Sequence, residues 1–107
     1  MRSLTKDDVL VLMWLVALAT SKRTQTYSEM ALHFGGLPLG QGQTLFRVGE
    51  FCFSQGLPLL SVLVVSKEKG IPSNAEFYAE RGVPDMKAET VKCFEFDWAR
   101  LNGKDAS

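Results

Sequence analysis

A chain of 107 residues is long enough for one domain with a single modest core. With 46% hydrophobic and 22% charged residues, its composition is neither that of a disordered chain nor that of a fibre. Twelve basic residues balance twelve acidic ones, so no global field draws it onto nucleic acid or an anionic membrane. Any such binding has to rest on a local patch.

The first predicted element follows "TKDD". Thr5 is placed as an N-cap with Asp8 three residues on, a capping box, and the acids suit the positive end of the helix dipole. The helix runs to about Thr20 and is apolar almost all round, with Trp14 as its largest anchor. Such a helix is expected in the middle of the core, covered by the others. Its run "VLVLMWLVALA" is too short for a bilayer, which needs about 20 apolar residues. Asp7 and Asp8 also stand where a signal peptide would carry positive charge. The expectation is a soluble, cytoplasmic protein with no membrane association.

"SKRTQ" reads as a polar connection, and "TYSEMALHFGG" repeats the capping signature with Thr26 and Glu29. That second helix spans about two turns, shares Met30 and Phe34 on one face, and ends at Gly35 and Gly36. A third helix is predicted from about Gly42 to Gln55, with Leu45, Val48 and Cys52 as its stripe and Phe51 beside it. Glycines at 42 and 49 each weaken a helix by about 1 kcal/mol relative to alanine, which marks close approach of another backbone or a ligand.

"LLSVLVV" is a continuous apolar run of strand length, "SKEKG" a polar tip with Gly70 able to supply positive φ, and Ile71 a return. Pro72 limits that return to an edge or a very short strand. A fourth helix is expected over "SNAEFYAERG", capped by Ser73 and Glu76 and stopped by Gly82. After "VPD" comes a last helix with Val91, Phe94, Trp98 and Leu101 as its apolar stripe. Cys52 and Cys93 read as two buried free thiols in a reducing compartment, without metal-ligand company.

The order of elements is that of an α+β, mainly α, winged helix-turn-helix. The short β-hairpin is its wing, and further helices follow it. The whole chain, 1–107, reads as one domain, with a winged-helix core over about 5–80 and a helical extension over about 84–102.

Three stretches carry a family resemblance: "TYSEMA", "RVG" within the third helix, and "LPLLSVLVV" ahead of a charged turn and glycine. They resemble the DNA-binding domain of O6-alkylguanine-DNA alkyltransferases and of their catalytically silent relatives, the alkyltransferase-like proteins. The similarity covers roughly residues 5–80, and most of it is fold-level patterning. The enzymes of that family carry Pro-Cys-His-Arg before paired valines. This chain has Leu60, Ser61, Val62 and Leu63 before Val64 and Val65. Alkyl transfer needs a thiolate activated by a histidine, so no catalytic residue, cofactor or metal is expected. The expectation is a protein that is not an enzyme.

The resemblance implies that Tyr27 touches the DNA backbone beside a flipped nucleotide. The alternative is a ring that packs at the first helical turn and leaves its hydroxyl in water. Gln41, Gln43, Thr44 and Arg47 could read base edges from the start of the third helix, or serve as ordinary solvent residues. Lys67 and Lys69 would grip phosphates from the wing, with Lys22 and Arg23 extending the patch. A charged tip is also what solubility alone would select. His33, the only histidine, reads as helix-end packing.

The leading expectation is therefore non-catalytic binding of double-stranded DNA. The alternative is a small protein-binding adaptor or inhibitor, of the kind phages and mobile elements encode, using a charge-neutral surface on the same scaffold. A third reading is a homodimer joined through Trp98, Phe94 or Phe96.

Overall fold

The computed structural model describes residues 4–35 and 41–99. In chain order it runs α1 (Lys6–Thr20), β1 (Gln25–Thr26), α2 (Tyr27–Phe34), α3 (Gln41–Ser54), a 3-10 turn (Leu60–Leu63), β2 (Val64–Val65), α4 (Ala75–Glu80) and α5 (Met86–Glu95). The result is a mainly helical α+β domain. Its sheet is one short parallel ladder pairing Gln25 with Val64 and Thr26 with Val65.

Both early capping boxes form. The Asp8 N–H donates to Thr5 Oγ1 at 3.1 Å and the Thr5 N–H to Asp8 Oδ2 at 3.0 Å. Thr26 and Glu29 repeat the pattern at 3.1 and 2.8 Å, so each helix begins with two of its orphan donors satisfied. α2 then stops at Gly35, whose φ of 75° suits a residue without Cβ.

At the centre of the core lies the run from Leu59 to Val64, not α1. Every one of its side chains is buried, with α1, α3 and α5 packed around it. This corrects two expectations. α1 buries only Asp8, Val11, Leu15, Leu18 and Ala19, and its far side leaves Val9, Leu10 and Met13 exposed. The apolar run, read as one strand, is instead a 3-10 turn followed by two strand residues. A run without alternation cannot distinguish the two conformations, and the Leu59 N–H is taken by buried Glu89 at 2.8 Å rather than by a neighbouring strand.

The hairpin wing is corrected as well. Among the described residues no strand returns beside β2, whose pairing partner is β1. Residues 66–71 close as a compact turn: the Ser66 N–H donates to Ile71 O at 2.9 Å and the Gly70 N–H to Ser66 O at 2.8 Å. Gly70 does supply the positive φ, at 70°. Pro72 follows, is buried and has no N–H to offer a ladder. α4 lacks the Ser73–Glu76 capping box and starts after Asn74, because the Ser73 N–H is directed to the Tyr27 hydroxyl.

The last helix also differs in register. Its buried stripe is Met86, Glu89 and Cys93, while Val91 is 50% exposed. The helix ends at Glu95, where Phe96 turns extended with ψ 141°. That turn brings Trp98 back over the core, 4% exposed, with its indole N–H donating to Cys93 O at 2.9 Å. Phe96 packs on Trp98, and Phe94 lies half-buried against the same cluster. The aromatic end read as a dimer contact is therefore directed inward; Leu101 lies outside the described residues. Cys52 and Cys93 are free and buried, and burial pushes the Cys52 thiol up to about 11 and that of Cys93 further.

One of the two α3 glycines is explained by packing. A Cβ at Gly49 would stand 2.8 Å from Phe77 Cζ and 2.9 Å from Ser61 Oγ. Gly49→Ala is expected to destabilise the fold by about 1–3 kcal/mol through overpacking, read as a lower urea midpoint with unchanged slope. Gly42 meets nothing within 4 Å and faces open space.

Candidate nucleic-acid interface

Tyr27 is the first residue of α2, and its placement follows from the ladder. β1 delivers the chain to α2 at the same end at which β2 delivers it to the 66–70 tip, because the pairing is parallel. The tip's exit then crosses back over the tyrosine. The Tyr27 hydroxyl accepts the Ser73 N–H at 3.0 Å and faces Ser73 Oγ at 3.4 Å. The hydroxyl is thus not free, and it clasps the end of the lysine-bearing turn.

Across from that clasp stands the first turn of α3. Tyr27, Gly42, Phe46, Ser61, Phe77 and Tyr78 line a cavity of about 190 Å³, with Ser73 and Asn74 on its rim. Among the described residues no acid lines it. Its inner end holds two buried hydroxyls, Ser61 Oγ and Tyr78 OH, 2.8 Å apart. Burial pushes the Tyr78 pKa well above the usual phenol range, so it stays protonated and offers Ser61 no base. One aromatic wall is braced from behind by Arg81, which stands 3.9 Å over the Phe77 ring and pairs with Glu50.

The seven residues singled out from the sequence divide into groups. Gln43, Lys67 and Lys69 are exposed, and Gln41 opens α3. Tyr27 is half-buried at the cavity. Arg47 is corrected: its Nε and Nη2 donate to Asp8 Oδ2 and Oδ1 at 2.8 and 2.9 Å, a bidentate pair that ties α3 to the start of α1. Thr44 belongs to the same network, with its Oγ1 3.4 Å from Arg47 Nη2. The Arg47 guanidinium holds the Asp8 carboxyl below the usual carboxylate range, outweighing the opposing effect of burial. Lys22 and Arg23 precede β1, so the parallel ladder sends them to the end opposite the tip, and they do not extend its patch. His33 stacks on Trp14 with centroids 5.5 Å apart, away from Ser61.

Comparison with protein-family models, with characterised proteins and with solved structures finds no match. Family membership therefore contributes nothing beyond the geometry. Among the described residues no cluster of His, Cys, Asp or Glu is arranged to hold a metal ion, and no helix is long and apolar enough to cross a membrane.

Sequence reading missed the Tyr27–Ser73 clasp and the Ser61–Tyr78 pair, which join residues 46 and 17 positions apart. Neither leaves a local signature. The Asp8–Arg47 pair did leave one. Asp8 occupies the buried register of α1, three residues before Val11 and seven before Leu15, where an acid needs a buried partner.

Proposed function

We propose that the protein binds double-stranded DNA without chemistry, through the first turn of α3 and the 66–70 tip, on a scaffold of winged-helix type whose wing is a turn. One observation carries this reading: the tip's exit, Tyr27 and Gly42 converge on one cavity that no acid among the described residues lines. Lys67 and Lys69 would hold phosphates, while Gln43 in the first turn of α3 would face the duplex. The cavity would receive a nucleotide displaced from the stack, between the rings of Tyr27, Phe46 and Phe77. Net neutrality makes the affinity modest and strongly salt-dependent.

The test is titration of a labelled duplex at low salt. Micromolar binding is expected, weakened several-fold by Gln43→Ala, and tighter for a duplex with a mismatched pair, whose base is easier to displace. Absence of binding at low salt would end this reading.

A second reading has its own support. The outward face of α3 carries Phe46 and Phe53, 43% and 51% exposed, instead of free cations, since its Arg47 is engaged by Asp8. Exposed aromatics at helical spacing suit a protein partner better than a major groove. In that case Phe53→Ser removes the partner, and duplex titration shows nothing to lose.

A further inference from the structure

We propose that the cavity between Tyr27 and Phe77 is a pyrimidine site: it takes one flat, uncharged six-membered ring with a hydrogen-bond acceptor on its leading edge, and it refuses a purine. Where the ring arrives in a duplex, the inference rests on the DNA reading; towards the free nucleoside it stands by itself.

Three properties define the occupant. The first is size. An apolar cavity of about 150 Å³ holds benzene, so one of about 190 Å³ accommodates a single ring with small substituents, and the fused rings of a purine exceed it. The second is charge. Among the described residues no ionised side chain lines the cavity, and Arg81, behind the Phe77 ring, is engaged by Glu50. An ion at the inner end would lie unpaired, whereas a neutral ring gains contact with Leu45, Phe46 and Phe77.

The third is a count of protons. Ser61 and Tyr78 bring two hydroxyls to the inner end, at 3% and 2% exposure. Their mutual bond uses one O–H, whichever residue donates. The other O–H has no acceptor among the described residues. A buried donor left unspent is costly, and a water beside it would find few further partners on apolar walls. A ring carbonyl or ring nitrogen spends it.

A nucleoside can enter in one direction only. The hydroxyl pair closes the inner end, while Ser73 and Asn74 stand at the rim, where the lysine-bearing turn exits. The sugar therefore stays at the rim and the ring edge away from it leads inward. Thymine presents O4 there and cytosine N3, and the Ser61–Tyr78 bond can run in either direction to offer its remaining proton.

Free nucleosides test this by NMR titration. Thymidine and deoxycytidine are expected to shift the signals of the cavity-lining residues with dissociation constants on the order of 1 mM, and deoxyguanosine to leave them in place. A difluorotoluene nucleoside, which has the shape of thymidine without its carbonyls, should bind about tenfold more weakly than thymidine. Ser61→Ala combined with Tyr78→Phe removes both hydroxyls together, so it should keep the melting temperature and abolish that difference. Either single substitution leaves one hydroxyl proton and should preserve it. A duplex with a mismatched pyrimidine pair separates the two readings: if thymidine binds and this duplex does not, the DNA reading falls and the pyrimidine site stands. No shift with thymidine up to about 10 mM, deoxyguanosine binding as tightly as thymidine, or a difference that survives the double variant would each overturn the proposal. If the duplex still bound, this inference alone would fall.

Discussion

Arg47→Ala is expected to lower folding stability by about 3–5 kcal/mol, the largest effect of any single polar substitution considered. The reason is what it leaves behind. Asp8 has no exposed surface, and its carboxylate is held by both forks of the guanidinium. Without the arginine, a desolvated carboxylate keeps only its interactions with Thr5 and must ionise at high cost or take up a proton. Asp8→Ala should cost less, about 2–3 kcal/mol, because the Arg47 side chain is 28% exposed and can turn to water. A melting temperature depressed by about 15 °C or more in Arg47→Ala would be readily seen. Replacing both partners by apolar residues, as in Asp8→Leu with Arg47→Met, should recover most of the loss. If Arg47 were instead a base-reading residue, Arg47→Ala would keep its stability and lose only DNA affinity.

The same pair gives a pH signature. The Asp8 pKa is depressed in the folded state, so its stabilisation is fully present above the unfolded carboxyl value of about 3.9. It is lost as pH falls from there through the folded value. Wild-type stability should therefore drop more steeply below about pH 4 than that of the double apolar variant.

The second large effect belongs to the tip. Changing Lys67 and Lys69 together to alanine is expected to weaken duplex binding by about 100-fold near 50 mM salt, since each phosphate contact adds about 0.9 to the salt slope. Both lysines are exposed on a turn held by its own backbone hydrogen bonds, so stability should not change. Loss of affinity without loss of fold distinguishes this variant from Arg47→Ala. Reversing Lys22 and Arg23, at the far end of the ladder, should matter much less.

Local chemistry was legible in the sequence, and distant pairing was not. Two capping boxes, the glycine stops at Gly35 and Gly82, the α3 stripe of Leu45, Val48 and Cys52, and the positive φ of Gly70 all depend on residues within a turn or two of one another. The ladder joins Gln25 to Val64, and two residues of polar strand fall below any detectable alternation. The third capping box failed for a tertiary reason, since Tyr27 had already claimed the Ser73 N–H. α1 misled through its composition: apolar residues all round imply burial on all sides, but this one helix buries a single face. Of the residues singled out for the site, Gln43, Lys67 and Lys69 are exposed, while Arg47 pairs with an acid 39 residues earlier. A lone arginine on a helix does not announce its partner.

The most direct test of DNA binding through the tip is the salt slope of duplex affinity, measured side by side for the wild type and the Lys67→Ala, Lys69→Ala double variant. Wild-type log affinity should fall linearly with log salt, and the double variant's slope should be shallower by about two. Equal slopes, or no measurable duplex binding at the lowest salt, would contradict it.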